Sequence, residues 1–467
     1  MRYQSTRGGA GDRSFSDVLL EGMAPDGGLY LPTEVPRLDE DKLRSFAGLS
    51  FVEVAAEVMW PFVESDYQPD EFADLVERSY DRFDHPDVAP LRVLDQGTGE
   101  WLLELFWGPT LAFKDVALQL LGNLFERELA RQSASVTVVG ATSGDTGSAA
   151  IEAVRGREGI ELFMLHPLGR VSDVQRRQMT TVDEPNIHNL AIEGTFDDCQ
   201  DLVKAMFADE AFRSRHALSA VNSINWARVM AQTVYYVTAA VELGAPASPV
   251  AFSVPTGNFG NIYAGHVARE MGLPISQLIL ATNVNDILSR AFDSGSLQIQ
   301  EVVPSSSPAM DIQISSNFER LLFELLGRDG ELLAALMERF RFLGHVELTE
   351  PVLEAFRELF DADRLDDDAT RRVIREVYDE AGLVLDPHTA IGVGVGRELR
   401  NDRDIPLVML ACAHPAKFPD TVAAALGERP IEPDRITALA GLPEKLDVLP
   451  NELGAVQSFI QQVTGTG

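Results

Sequence analysis

The sequence predicts an α/β fold, with mainly parallel sheets covered by helices on both faces and a largely helical segment before them. Three observations predict it. From about residue 100, short apolar runs alternate with helical stretches, the pattern of strand–helix–strand units. Three of those runs end in polar or glycine-rich loops, where open α/β sheets bind ligands. Residues 1 to about 90 show helical spacing instead of alternation.

In chain order, Phe51, Val54, Ala55 and Val58 recur at helical spacing before Pro61. Pro69 opens a second helix whose apolar face is Phe72, Leu75, Val76 and Phe83. Val136 to Gly140 reads as a buried strand, followed by a glycine-rich turn and a helix of small residues. Ile160 to His166, Ile187 to Ile192, Val250 to Val254, Leu278 to Ala281 and Leu407 to Cys412 also read as strands. Helical stretches lie between them, including Asp198 to Phe207 and Trp226 to Leu243. Residues 330 to 382 are rich in helix, with Glu331 to Phe342 and Thr370 to Ala381 the clearest segments.

A chain of 467 residues is too long for one simple core, so two or three domains are expected. The net charge of −33 argues against non-specific binding to nucleic acid or to an anionic membrane. A solvated acidic surface explains it, and a salt-rich surrounding would favour the same balance. Two cysteines, Cys199 and Cys412, make no disulfide scaffold. The N-terminus lacks an apolar signal region and no apolar run is long enough to span a bilayer, so the cytoplasm is the expected location. The eight histidines are scattered without His-Glu-x-x-His or Cys-x-x-Cys spacing, so no metal site is expected.

The chemistry starts at Lys114, in the run Phe106-Trp107-Gly108-Pro109-Thr110-Leu111-Ala112-Phe113-Lys114-Asp115. Lysine is scarce here: only Lys42, Lys114, Lys204, Lys417 and Lys445 occur, and arginine supplies nearly all other positive charge. An amine between apolar residues can form a Schiff base, which a guanidinium cannot. The other reading is a snorkelling lysine at a helix start. Ala141-Thr142-Ser143-Gly144-Asp145-Thr146-Gly147-Ser148 and Pro255-Thr256-Gly257-Asn258-Phe259-Gly260-Asn261 each join a strand to a helix, exposing backbone N–H groups to an anion. The third loop is Cys412-Ala413-His414-Pro415-Ala416-Lys417-Phe418. None is a P-loop or a dinucleotide fingerprint. Two anion loops, one singular lysine and no nucleotide motif point to a cofactor that has its own phosphate and reacts with an amine, which pyridoxal phosphate does.

Taken together, the sequence resembles the threonine synthase family, in its longer form with an N-terminal extension. The resemblance rests on Ser5-Thr6-Arg7-Gly8, Asp26-Gly27-Gly28-Leu29-Tyr30, the Lys114 segment, both anion loops, Asn222-Ser223-Ile224-Asn225, Ala281-Thr282-Asn283-Val284-Asn285-Asp286, Pro387-His388 and His414-Pro415-Ala416-Lys417-Phe418. It runs through nearly the whole chain. It implies a fold-type-II pyridoxal phosphate enzyme, with two parallel-sheet α/β domains and the cofactor between them. The implied division is an N-terminal extension over 1–95, a smaller domain over 96–225 with Lys114 and the substrate carboxylate loop, and a larger domain over 226–467 with the cofactor phosphate loop.

The resemblance further implies that Lys114 holds pyridoxal phosphate as a Schiff base and is the catalytic base. Gly257, Asn258, Phe259, Gly260 and Asn261 would cradle the cofactor phosphate. Thr142, Ser143, Gly144, Thr146 and Gly147 would bind the substrate α-carboxylate. Asp145 stands where relatives of the wider fold often have asparagine near the cofactor hydroxyl. Cys412 would sit near the pyridine nitrogen, where the family pattern has threonine; a thiol is the weaker partner. A neutral partner leaves that nitrogen unprotonated and the ring a weaker electron sink.

For other residues two readings stand. Asp115 is either a helix N-terminal acid or part of the site. Asn222, Ser223 and Asn225 either cap the helix near Trp226 or meet the substrate. Arg7, Arg228 and Lys417 suit the substrate phosphate or ordinary ion pairs. His414 either satisfies a strand-end backbone group or acts on substrate.

The implied reaction converts O-phospho-L-homoserine and water into L-threonine and phosphate, by γ-elimination and hydration at Cβ, with closure of the domain holding the 141–148 loop. The alternatives are a phospho-lyase or dehydratase yielding a 2-oxo acid and, from another class, a non-enzymatic α/β binding protein. A monomer and a homodimer both fit the sequence.

Overall fold

The computed structural model describes residues 1–219 and 224–465. Its strands, in chain order, are β1 (Tyr3–Ser5), β2 (Tyr30–Pro32), β3 (Leu91–Asp95), β4 (Glu100–Glu104), β5 (Val136–Ala141), β6 (Ile160–Pro167), β7 (Ile187–Glu193) and β8 (Leu218–Ser219). They continue with β9 (Val250–Pro255), β10 (Ile275–Thr282), β11 (Ser296–Gln298), β12 (His345–Glu347), β13 (Asp361–Arg364), β14 (Leu407–Ala411) and β15 (Asp447–Pro450).

The chain forms two compact units, one of residues 1–19, 23–117 and 223–431, the other of 20–22, 118–222 and 432–467. The first contains a six-stranded sheet in the order β13-β10-β9-β14-β4-β3. All its pairs are parallel except β3 with β4. One face packs on the helix Pro387–Leu399, through Leu102, Ala251, Met409 and Ala411 against Ala390, Ile391 and Val395. The helix Gly260–Glu270 also packs on β10. The second unit contains a five-stranded parallel sheet in the order β15-β7-β6-β5-β8. Val139, Phe163, Leu165, Leu190 and Ile192 bury one face of that sheet against Cys199, Leu202 and Met206 of the helix Phe196–Ala208. Such area is the main favourable term in each unit, at about 25 cal/mol per Å².

The six strands read from apolar runs are all present, each within three residues of its expected bounds. Local chemistry sets the helix starts. Ser50 with Glu53, and Thr195 with Asp198, form reciprocal capping boxes. Pro69 is the first residue of the helix Pro69–Tyr80, which ends before Phe83. The helix Phe51–Val63 runs through Pro61. The sequence reading grouped Lys114 with the Thr142–Gly147 loop and kept 226–467 together. In the structure Lys114 lies in the first unit, and the boundary falls after Ala117 inside the helix Lys114–Gln132. Residues 432–467 lie in the second unit because β15 extends its sheet beside β7.

The Ser5-Thr6-Arg7-Gly8 motif is fastened within the first unit. Thr6 Oγ1 donates to Glu319 at 2.7 Å, and Arg7 grips the same carboxylate through two nitrogens at 2.9 and 2.8 Å. Arg320, fully buried, donates to the carbonyls of Tyr30 and Ile224 at 2.9 and 2.6 Å. Arg7 is therefore engaged in an ion pair, one of its two expected roles.

Candidate active site

In the first unit, Lys114 starts its helix from a turn that the surrounding chain holds at four points. The Asp115 carboxylate folds back and accepts from the Thr110 N–H and hydroxyl, both at 2.7 Å. A Cβ on Gly108 would meet the Asp115 Cβ at 2.4 Å, so only glycine lets this turn close. The Phe113 N–H donates to the Cys412 carbonyl at 2.8 Å, and the His414 N–H to the Leu111 carbonyl at 3.0 Å. Lys417, fully buried, donates to the Thr110 carbonyl at 2.6 Å. The Lys114 side chain is itself buried, with Nζ 4.8 Å from the centre of the Phe113 ring.

Burial raises the Asp115 carboxyl to about 6, against the opposing pull of the Thr110 hydroxyl and Lys417. Asp115 is thus more than a helix-dipole acid: it shapes the turn that presents Lys114. Burial likewise lowers His414 to about 4. Its Nδ1 accepts the Ala416 N–H at 3.2 Å, the backbone-satisfying role of the two foreseen. Cys412 is buried, with its thiol 3.6 Å from the Leu410 carbonyl and its N–H donated to Thr389 Oγ1 at 3.0 Å. Thr389 in turn donates to Asp386, which accepts His388 Nδ1 at 2.8 Å.

The Gly257–Asn261 loop follows β9 and enters the helix Gly260–Glu270. The Gly257 carbonyl accepts from Ser315 at 2.7 Å, and the Asn258 carbonyl from the Asn317 side-chain amide at 2.8 Å. The N–H groups of Gly257 to Asn261 find no acceptor among the described residues. Phe259 takes the N-cap position in the left-handed region, φ 62°, and offers no capping side chain. Neither glycine of this loop has positive φ. Gly257 is needed for close packing: a Cβ there would lie 3.0 Å from the Ala309 carbonyl. Free N–H groups at a helix N-terminus are what a phosphate dianion requires. The residues present fit the phosphate of pyridoxal phosphate.

Also in this unit, Arg228 is buried with Nε and Nη1 unpartnered among the described residues, and burial lowers its pKa to about 10. A buried guanidinium without an acceptor is costly unless an anion meets it. Asn225 is engaged at both ends: Oδ1 caps Ala227 at 3.0 Å and Nδ2 donates to the Leu19 carbonyl at 2.9 Å. That is the capping role of its two readings. Asn222 and Ser223 lie outside the described residues.

In the second unit, the Thr142–Gly147 loop follows β5. Thr142 Oγ1 accepts the Gly144 and Gly147 N–H groups at 2.9 and 2.8 Å. Gly144 has φ 145°, a conformation that side chains rarely reach, and a Cβ there would meet Gln175 at 2.3 Å. Asp145 is buried and accepts from Gln175 Nε2 at 2.9 Å. Ser143 and Thr146 are half-buried, and their hydroxyls find no partner among the described residues.

Sequence reasoning missed Gln175, Thr389 and Asp386. Gln175 and Thr389 act on residues distant in sequence, while Asp386 acts on His388 and Thr389 beside it, where the Asp386-Pro387-His388-Thr389 helix start carried the one local signal. Among the described residues no cluster of His, Cys, Asp or Glu could hold a metal, and no helix is long and apolar enough to cross a membrane.

Family models match in three stretches: "Threonine synthase N terminus" over residues 2–80, "Pyridoxal-phosphate dependent enzyme" over 88–339, and "Threonine synthase, C-terminal" over 389–460. The threonine synthase of Pseudomonas aeruginosa is 52% identical over 463 residues, covering 99% of this chain and 98% of the relative. The crystal structure of PLP-bound threonine synthase from Brucella melitensis matches with TM-score 0.96 and 51% identity, covering 99% of both chains. That of threonine synthase from yeast matches with TM-score 0.94 and 38% identity, covering 100% of this chain and 99% of that one. The buried lysine turn, the uncapped anion loop and these full-length likenesses converge: the chain belongs to the threonine synthase family of pyridoxal-phosphate-dependent, fold-type-II lyases.

Proposed function

We propose that this family member converts O-phospho-L-homoserine and water into L-threonine and phosphate, and that Lys114 is its catalytic amine. The observation that carries the reading is Lys114 itself, buried on a turn tied through Phe113 to the carbonyl of Cys412. When bound, pyridoxal phosphate supplies the electron sink for charge developing at Cα and Cβ of the substrate.

The chain's own residues do the rest. The five N–H groups from Gly257 to Asn261 hold the cofactor phosphate at the helix N-terminus. Cys412 would serve the pyridine nitrogen as a neutral partner, and Asp145 the ring hydroxyl. The hydroxyls of Ser143 and Thr146 bind the substrate α-carboxylate. Thr142, Gly144 and Gly147 fix that loop's shape. Arg228 receives the substrate phosphate, which gives its unpartnered nitrogens an acceptor.

Lys114 Nζ takes the proton from Cα and later returns it. Its burial keeps bulk water from that step. Asn225 and Lys417 act from one remove, through the helix start at Trp226 and the Thr110 carbonyl. The N-terminal segment 1–95 frames the first unit through Thr6 and Arg7. The enzyme works in the cytoplasm as a monomer or homodimer, apart from nucleic acid and membranes.

The test is product analysis. Purified holoenzyme given O-phospho-L-homoserine should release phosphate and threonine in equal amounts. Phosphate with 2-oxobutanoate in place of threonine would identify a phospho-lyase instead.

A further inference from the structure

Asn261 is the second residue of the helix Gly260–Glu270, and its side chain is held in an unusual way. Two neighbouring tyrosines on the helix Trp226–Glu242 converge on it. Tyr235 donates its hydroxyl to Asn261 Oδ1. Tyr236 lies 3.0 Å from the same oxygen and 2.9 Å from the Asn261 backbone carbonyl. Both tyrosines are fully buried. On the other side of the amide, Nδ2 is buried and has no partner among the described residues.

The rings cannot swing away. Tyr235 and Tyr236 pack on each other at 5.1 Å, and Tyr236 meets Phe252 edge-on at 4.9 Å. Gly265, one turn beyond Asn261, makes room for the Tyr236 ring: a Cβ there would lie 2.9 Å from it. Phenylalanine would fill the same space without burying two hydroxyls. Buried hydroxyls need partners, and these two find theirs at Asn261, with Gln232 Oε1 a longer alternative for Tyr235 at 3.4 Å.

The orientation of that amide then follows from chemistry. An amide has one acceptor end and one donor end. With Oδ1 toward the phenols, the acceptor end is occupied and the NH2 is left buried without a partner among the described residues, on the second residue of the helix Gly260–Glu270. Turned the other way, the amide would set its NH2 against the phenols and leave its oxygen where the NH2 now lies, an orientation that would repel a nearby anion. A buried NH2 without an acceptor at an uncapped helix N-terminus itself points to an anionic ligand.

We infer that Tyr235 and Tyr236 are positioning residues for the cofactor phosphate, locking Asn261 so that its Nδ2 joins the backbone N–H groups as a phosphate donor. The inference rests on the phosphate role proposed above for the Gly257–Asn261 loop. It adds a side-chain donor to that cradle and a fixed cause for its direction. Burial raises both phenols well above their ordinary range, so they remain donors wherever the enzyme works.

Pyridoxal and pyridoxal phosphate differ only at the phosphate, so the ratio of their affinities isolates this contact. Apoenzyme is titrated with each, following the absorbance of the lysine adduct. The double variant Tyr235→Phe/Tyr236→Phe should bind pyridoxal phosphate about tenfold or more weakly and pyridoxal unchanged. The 31P resonance of its bound cofactor should shift from that of the wild type. Asn261→Asp, which cannot donate and repels phosphate, should lose more.

If Asn261→Asp lowers the ratio and the double variant does not, the tyrosines have no such role. If neither lowers it, the phosphate-loop reading fails with them. Equal loss of both ligands in the double variant also overturns the inference. Should the double variant not fold, Tyr235→Phe alone, read by the same ratio and by 31P, decides: an unchanged ratio and resonance overturn it.

Discussion

The loops after β9 and β5 share a plan, strand to glycine-bearing loop to helix, and differ in what they leave unsatisfied. After β9, the carbonyls of Gly257 and Asn258 are held by Ser315 and Asn317, while the N–H groups of Gly257 to Asn261 find no acceptor among the described residues. After β5, Thr142 takes the N–H groups of Gly144 and Gly147, and the open groups are the hydroxyls of Ser143 and Thr146. A row of N–H groups on a helix dipole suits a phosphate dianion. A loop closed on its own threonine, with two hydroxyls facing out, suits a monoanion such as a carboxylate. In the proposed function, the same sequence plan would serve two anions of different charge.

The largest expected effect comes from removing the amine and leaving both loops intact. Lys114→Ala should lose activity by about 10³-fold or more, since the base itself is gone. Borohydride should then leave no reduced cofactor on the chain. Pyridoxal phosphate should still bind without a covalent bond, because the 257–261 cradle is untouched. Peptide mapping that finds the adduct on Lys42, Lys204, Lys417 or Lys445 would move the catalytic amine elsewhere.

The two loops should separate under paired substitutions. Gly257→Val drives a side chain against the Ala309 carbonyl, 3.0 Å from its first carbon. It should weaken pyridoxal phosphate binding about tenfold or more, with substrate KM little changed in cofactor-saturated enzyme. Gly144→Ala displaces Gln175, breaks its bond to Asp145 and strains a backbone at φ 145°. It should raise substrate KM with cofactor retained, at about 1–3 kcal/mol in stability. Equilibrium dialysis and steady-state kinetics on both variants check this crossed pattern, and matching defects would erase the distinction between the loops.

Legibility from sequence follows the same divide between local and distant causes. β5, β6, β7, β9, β10 and β14 were legible because buried parallel strands are apolar runs. β13, Asp361-Ala362-Asp363-Arg364, was not: it is an edge strand, joined to β10 by backbone register and showing no apolar pattern. β15 was missed for the same reason. In the site, Lys114 stood out through the scarcity of lysine and its apolar neighbours. Lys417 and Asn225 were ambiguous, and geometry gave them buried structural bonds. Tyr235, Tyr236 and Gln175 left no local signal, since each acts on a residue more than 20 positions away.

The Lys114 turn is held in a third way, by a buried carboxylate, and pH should expose it. Asp115 has its folded pKa raised from 3.8 to about 6. Its contribution to stability is therefore full below about pH 4 and is lost as pH rises through about 6. The loss is on the order of 3 kcal/mol, two pKa shifts of one unit being worth that much. Asp115→Asn keeps the shape and cannot ionise, so the variant should gain stability relative to wild type between pH 4 and 7. Urea midpoints for both proteins across that range test the sign, and parallel curves would mean that Asp115 titrates normally.

The smallest effect is expected at Cys412, where β14 ends much as β9 does. Thr256, just past β9, donates its hydroxyl to the Val254 carbonyl two residues back at 2.7 Å. Cys412, just past β14, directs its thiol at the Leu410 carbonyl, also two residues back, at 3.6 Å. Threonine at 412 has one hydroxyl proton, which it can turn from the Leu410 carbonyl toward an unprotonated pyridine nitrogen. The backbone around it is already fixed by Thr389 on the N–H and Phe113 on the carbonyl. Only one methyl group is added to a buried position, which costs about 1–3 kcal/mol when neighbours cannot yield. Cys412→Thr should therefore keep kcat within about fivefold of wild type, with a slightly altered cofactor absorbance as the stronger hydrogen-bonding group replaces sulfur. Cys412→Asp should do worse, because a carboxylate there would favour the protonated pyridine nitrogen and change how the ring spreads negative charge. A threonine variant that loses activity as deeply as the aspartate one, with its melting temperature intact, would show that the thiol itself is required at the end of β14.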